Sequence, residues 1–409
     1  MGAAILRAVS PSSSVSIRVL HVTASFPRSD TDSTAPFLAD LTNLQREAGW
    51  EVAVVATHDQ GLPSRHIVGG AHVRRARYAP DRFEVLAYRG GGHKSLRSPA
   101  HALLLPGLLA SLAANTAAEI RRFRPDVVHT HWILPSGLVL ASFPKRARPR
   151  TVLTMHGNDV ELASSRVARP IARAAARLAD ALLAVSDPLA RRADEVLGLP
   201  AGTVSVARLP VPSELTPTPF PAGPLRLLAA GRASYEKGFD VLLAALASAT
   251  EPPFAEPQFA EPQWRVTLVT DGPERPRLEA QAAAAGLGNS VSFLPLQPRA
   301  ALFDLMREHH AVVVPSRAEG LGMLALEALA LGRPVVASRV GGLTEVVTDG
   351  DDGSLVPPDD PTALGVALAN LAGSIRAPRA TAVARHSSAA VLDAHARAYA
   401  IDTAKAPKP

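Results

Sequence analysis

Short apolar runs alternate with longer amphipathic stretches along most of the chain. In the first half the runs are Ser16–Thr23, Glu51–Thr57, Asp126–Thr130, Thr151–Met155 and Ala181–Val185, and each reads as a buried strand. Between them, Pro36–Ala48, Leu103–Phe123 and Pro170–Ala179 carry apolar residues at helical spacing. Strands that are apolar on both faces and separated by helices predict a parallel sheet of βαβ units. Periodicity then fails over Leu209–Pro224, LPVPSELTPTPFPAGP, where Pro occupies six positions and predicts a stiff, extended linker.

Beyond the linker the alternation restarts, with strands expected at Leu225–Ala230, Arg265–Thr270, Ser290–Leu294, Ala311–Val314 and Pro334–Ser338. The tandem FAEPQFAEPQ at Phe254–Gln263 has no helical period and reads as a surface loop insertion. Two βα halves joined by a Pro-rich hinge predict an α/β protein: two Rossmann-like, doubly wound domains facing a cleft, with ligands at the carboxyl ends of the strands. The expected boundaries are 1–208 for the first domain, 209–224 for the linker and 225–385 for the second domain. Residues 386–409 are expected to form a helix packing back on the first domain, then a frayed tail.

Length supports two domains, since 409 residues exceed what one hydrophobic core sustains. Cys is absent, which excludes disulfides, thiolate metal sites and Cys nucleophiles. The best membrane-spanning candidate, Ala102–Ala114, is too short to cross a bilayer and carries Pro106. The N-terminal segment lacks an apolar core of signal-peptide length, so a cytoplasmic location is expected.

Charge is unevenly placed. The chain has net charge +6, divided into +10 over residues 1–210 and −4 over 211–409. The basic excess is densest from Arg65 to Arg97, including Arg74, Arg75, Arg77, Arg82, Arg89 and Lys94. Such a run suits either a solvated basic face or contact with an anionic membrane surface. An aromatic content of 4% argues against stacking on single-stranded nucleic acid.

Two segments of the second half carry candidate chemistry. In GRASYEKGFD, Gly231 ends a strand, Arg232 and Lys237 lie on the loop, and Gly238 precedes a helix. Two cations beside a helix start form a clamp suited to a diphosphate, although the P-loop order is absent. In PSRAEGLGMLALEALALGRP, Glu319 precedes a helix expected from about Leu321 to Leu331, and Gly320 and Gly322 permit close backbone approach. That helix is apolar on every side, so it must be buried, and Glu327 is its one charge. The vicinal hydroxyls of a ribose would satisfy a carboxylate there; so would a structural Arg such as Arg339.

These segments resemble the signature of the retaining GT-B glycosyltransferases, especially the large family numbered four, in which two Glu flank seven residues, here Glu319 and Glu327. GRASYEKG matches the Gly-Arg-(four residues)-Lys-Gly loop of that family. VTDGPERPRLEA is similar to its Gly-Asp-Gly-Pro turn, with Thr270 in place of the first Gly. VSFLPLQP resembles its nucleobase-side loop, with Pro295 where Gly is usual, and ASRVGGLTEVVTDGDDGSLVPPDDP resembles its closing segment. The resemblance implies that Arg232 and Lys237 bind the donor diphosphate and that Glu327 holds the ribose. Glu319, with the backbone of Gly320, Leu321, Gly322 and Met323, would meet the transferring sugar, and Phe293 and Leu296 would border the base.

In the first half, DVVHTHWILPSG places His131 and Trp132 at a strand end, and TMHGNDVELA does the same for His156, Asn158 and Asp159. No metal spacing and no GxSxG elbow emerges. Both segments resemble bacterial members of the same family. They imply that His131 or His156 positions the sugar, and that Asp159 orients one of those rings or touches the acceptor. Trp132, Asn158 and Asp159 would lie on the acceptor side. The loop after the first strand, ASFPRSDTDSTAPF, lacks the Gly-rich sequence many members carry.

The expected activity is transfer of a hexose from a nucleotide-diphosphate sugar to an acceptor hydroxyl, with retention and without metal or other cofactor. The expected partners are that nucleotide sugar and a hydroxyl acceptor, lipid-linked if the basic stretch rests on anionic lipid; nucleic acid is not among them. A GT-B-like sugar-nucleotide epimerase and a non-catalytic nucleotide-sugar-binding subunit remain as alternatives.

Overall fold

The structure is a computed structural model describing residues 16–88, 98–144, 148–248, 264–373 and 375–400. The tandem at Phe254–Gln263 and three members of the basic stretch, Arg89, Lys94 and Arg97, lie outside the described residues.

Eight strands form the first sheet: β1 Arg18–Thr23, β2 Glu51–Thr57, β3 Arg65–Val68, β4 Ala71–Ala76, β5 Val127–His131, β6 Arg150–Met155, β7 Ala181–Ala184 and β8 Ser205–Val206. Their order is β3-β4-β2-β1-β5-β6-β7-β8, parallel except for the edge pair β3–β4. Val19, Leu20 and Val22 of β1 and Val54, Val55 and Ala56 of β2 are fully buried, because helices cover both faces. Six further strands make the second sheet: β9 Leu225–Arg232, β10 Trp264–Asp271, β11 Val291–Leu294, β12 Ala311–Val314, β13 Val335–Ser338 and β14 Gly353–Val356. They are ordered β11-β10-β9-β12-β13-β14, and every pairing is parallel. The chain is thus an α/β protein of two Rossmann-like domains. Among the described residues, no helix is long and apolar enough to cross a membrane.

The linker is held rather than loose. Arg333, fully buried, donates to the carbonyls of Thr218 and Pro219, and the Val211 N–H donates to the His386 carbonyl. The helix Ser388–Ala398 lies against the first domain, where Val391 packs on Leu41 and Leu44 of the helix Pro36–Glu47. Just past it, Tyr399 enters the first domain's interior and bonds His129 and Gln45.

The first part of the basic stretch, Arg65 to Arg75, lies in the β3–β4 hairpin, a pair of strands not expected from the sequence pattern. Most of its described arginines have internal partners. Arg75 is buried and donates to the carbonyls of Phe26 and Pro27, Arg74 pairs with Glu119 at 3.1 Å, and Arg77 pairs with Asp81.

Candidate active site

The two sheets point the carboxyl ends of β5, β6, β9 and β12 at one cleft, where the loops that follow them meet. On the second-domain side, β9 ends at Arg232, which is exposed. The short turn Tyr235–Lys237 then swings the Lys237 ammonium to Glu319 Oε2, at 2.7 Å. Ser316 Oγ donates to the same oxygen at 3.2 Å. Gly238 makes this turn possible: its φ is +63°, and a Cβ there would overlap the Pro315 carbonyl. The two loops are locked together by Arg317, whose backbone N–H donates to the Glu236 carbonyl at 2.8 Å and whose guanidinium grips Asp240.

The helix that Glu319 precedes runs from Met323 to Ala330, starting two residues later than its pattern suggested. Glu327 on it is buried, as an apolar helix requires, and its partner is Arg299 rather than Arg339. Arg299 Nη2 lies 2.5 Å from Glu327 Oε1, and Arg299 Nη1 pairs with Asp40 of the first domain. Burial pushes the Glu327 carboxyl up from its ordinary range, and the Arg299 guanidinium opposes that rise. Arg339 instead pairs with Asp349. A signal for Arg299 existed in the sequence. It opens the helix Arg299–Glu308, where a cation works against the helix dipole and so calls for nearby carboxylates.

The nucleobase border differs from expectation. The Phe293 side chain packs into the cluster containing Leu227, Leu268 and Val291. Its neighbour Leu294 packs on the opposite face of β11, the face that carries the Glu327 helix. Period-two alternation along a strand therefore turns Phe293 away from Glu327. Leu296 is 43% exposed in the loop between β11 and Arg299.

On the first-domain side the histidines form a buried chain. His131 Nε2 is 2.9 Å from His21 Nδ1, and His131 Nδ1 is 3.1 Å from His156 Nε2. His21 continues to Gln45 at 2.7 Å, and Gln45 donates to the Tyr399 hydroxyl. His129 bonds Tyr399 and Thr154. Both ring nitrogens of His131 are therefore occupied within the protein, so its imidazole is not free to hold a sugar; its place is behind His156. His156 Nδ1 is buried with no protein partner. Burial lowers the pKa values of His21 and His395 to about 4 and that of His156 to about 3, so the cluster is neutral at physiological pH. His21, His129 and His131 are close enough to hold a metal ion, yet each of their ring nitrogens already has a protein partner.

Asp159 requires a second correction. Its carboxylate accepts from the backbone N–H groups of Ile133, His156 and Gly157 and bonds no histidine ring. It fixes the loops after β5 and β6 to each other. Trp132, in a left-handed conformation at φ +66°, and Phe37 both stack near His156, with ring centroids 4.8 and 5.1 Å away. Asn158 is exposed.

The domains touch at the site itself. A Cβ on Gly320 would overlap the His156 carbonyl, and Ser186 Oγ donates to the Gly320 carbonyl at 2.7 Å. Gly341 and Gly342 pack as closely on the Glu319–Leu321 backbone, which accounts for the paired glycines of the closing segment. Lys237 and Glu319 thus meet beside Gly320, which packs on the His156 carbonyl of the other domain, and Arg232 lies at the end of the strand leading into the Lys237 turn.

Residues 35–215 match the family described as Glycosyltransferase Family 4, and residues 214–373 match Glycosyl transferases group 1. The chain is 27% identical over 376 residues to a glycogen synthase of Mycobacterium tuberculosis, covering 86% of this chain and 85% of that protein. It is 32% identical over 338 residues to a D-inositol 3-phosphate glycosyltransferase of Xylanimonas cellulosilytica, covering 72% of this chain and 78% of the relative. Among solved structures, a sucrose-phosphate synthase from Thermosynechococcus elongatus superposes with a TM-score of 0.72 at 21% identity, over 94% of this chain and 96% of that one, which shows the shared fold. The chain belongs to the GT-B glycosyltransferases that join a Glycosyltransferase Family 4 half to a Glycosyl transferases group 1 half.

Proposed function

We propose that this glycosyltransferase moves a hexose from a nucleotide-diphosphate sugar to an acceptor hydroxyl, with retention of anomeric configuration and without a metal. The observation that supports this reading is the Lys237–Glu319 contact beside Gly320, which packs on the His156 carbonyl across the domains, with Arg232 exposed at the end of β9. The bond from the anomeric carbon to the diphosphate breaks, and the leaving oxygen gains negative charge. Arg232 and Lys237 supply fixed positive charge where that oxygen develops, the task a cation performs elsewhere. The acceptor oxygen forms its bond on the same face of the sugar, and its proton passes to the leaving phosphate oxygen. No enzymic nucleophile is needed.

Glu319, already bonded by Lys237 and Ser316, is preset to receive sugar hydroxyls beside the first turn of the helix Met323–Ala330. Glu327 receives the ribose once Arg299 shifts its contact toward Asp40. A neutral His156 suits its place, since an imidazolium beside the developing oxocarbenium charge would oppose it. His131, His21 and Tyr399 act as positioning residues through His156.

The test is a panel of nucleotide sugars assayed for slow hydrolysis, then for transfer to acceptors, with the product's anomeric configuration read by NMR. Transfer with retention supports the proposal. Epimerisation of donor alone, or binding with neither hydrolysis nor transfer for every donor, rejects it.

A further inference from the structure

The helix Ala168–Ala176 carries a feature that donor chemistry does not use. Arg169 and Arg173 lie four apart on it, Arg166 sits in the turn just before it and Arg177 caps its carboxyl end. They line a recess of about 360 Å³. Among the described residues none of the four has a carboxylate within ion-pairing distance, whereas Arg74, Arg77, Arg208, Arg299 and Arg317 all do. Arg169 and Arg173 each keep a buried Nε with no partner, and Arg173 is braced against Gly198. Beside these arginines lie Val167 and Ile171, four apart and 81% and 45% exposed. The remaining face, with Ala172, Ala175 and Ala176, is buried in the core.

We propose that this helix rests on an anionic phospholipid bilayer, with the arginines at phosphate level and Val167 and Ile171 entering the acyl boundary. Among the described residues, the Arg169 guanidinium donates only to the Ser164 carbonyl, at 2.7 Å. Cations without carboxylate partners flanking an exposed aliphatic strip are what an interfacial helix requires, and a soluble anion would have no use for the strip. The arginines of the 65–97 stretch are poorer candidates, because Arg74, Arg75 and Arg77 are tied up within the fold. Docking here also suits the chemistry. The six-residue helix Asn158–Ala163, about 9 Å long, joins the His156 loop to this face, so an acceptor hydroxyl held near the membrane surface lies close to the cleft. The inference stands apart from the glycosyl-transfer reading, because its test reads binding and not turnover.

The test is flotation of the full-length chain with vesicles of phosphatidylcholine alone or mixed with phosphatidylglycerol, at low and high salt. The expected result is binding to the anionic vesicles only, weakened by salt. The triple substitution Arg166→Gln, Arg173→Gln, Arg177→Gln should weaken it about 10²-fold, at roughly one factor of five per arginine. Val167→Ser with Ile171→Ser should weaken binding as well, while leaving its salt dependence intact. Failure of the natural chain to float at low salt overturns the proposal, and so does undiminished flotation of the triple variant. Should inorganic pyrophosphate displace the chain while the Val167 and Ile171 changes have no effect, the recess is a soluble-phosphate site and the bilayer assignment is wrong.

Discussion

Arg299 stands 2.5 Å from Glu327 and reaches Asp40 with its other nitrogen, so a single guanidinium bridges one carboxylate from each domain. The pairing joins the two domains beside Glu327, the residue proposed to hold the ribose. Arg299→Ala leaves two largely buried carboxylates facing each other and should cost about 3 kcal/mol of stability, read by urea unfolding. Glu327→Ala should chiefly weaken nucleotide affinity, measured by calorimetry; unchanged affinity would reject the ribose role.

Lys237→Ala removes charge from the leaving diphosphate and should lower turnover about 10²- to 10³-fold, with the thermal midpoint little altered. A folded variant with full turnover would falsify the diphosphate assignment. The proposed reaction gives this role to fixed cations, so turnover in the presence of EDTA should match turnover without it.

Much of this arrangement was legible in the sequence, and the losses have physical reasons. The parallel strands were visible because they are apolar on both faces, and Glu327 stood out as a lone charge on an all-apolar helix. The β3–β4 hairpin was hidden because it lies at a sheet edge, where Arg65, Arg74 and Arg75 interrupt the apolar pattern. Asp159 was misread because its partner Ile133 sits on another loop, and no local pattern announces a backbone N–H. His131 beside a cleft looks the same in sequence as His156, yet only His156 keeps an unpartnered nitrogen, and that depends on His21 from β1.

Buried neutral histidines make the fold sensitive to acid. His21 and His395 titrate near 6.5 when unfolded and near 4 when folded. The unfolded chain therefore binds more protons in between, so their stabilisation is complete above about pH 6.5 and is lost as pH falls toward 4. Each contributes on the order of 3 kcal/mol. Thermal midpoints recorded from pH 8 to pH 4 should fall steeply below pH 6.5, and His21→Asn should flatten that fall. A midpoint that stays level down to pH 4 would contradict the burial of this cluster.

Gly320→Ala places a methyl group against the His156 carbonyl, a contact relieved only by parting the domains. The expected outcome is a large loss of kcat/KM with little change in the thermal midpoint, and a larger radius of gyration by X-ray scattering. Wild-type activity in this variant would show that the observed closeness is not needed for transfer.

Tyr399 carries a consequence for biogenesis. It fills the interior of the first domain from a point almost two hundred residues beyond that domain's last strand, β8, which ends at Val206. A nascent chain that has emerged only as far as β8 holds a histidine-lined gap where this ring belongs. The amino-terminal lobe therefore reaches its final packing only after the carboxyl-terminal lobe has been synthesised, and the two mature together rather than in order of translation.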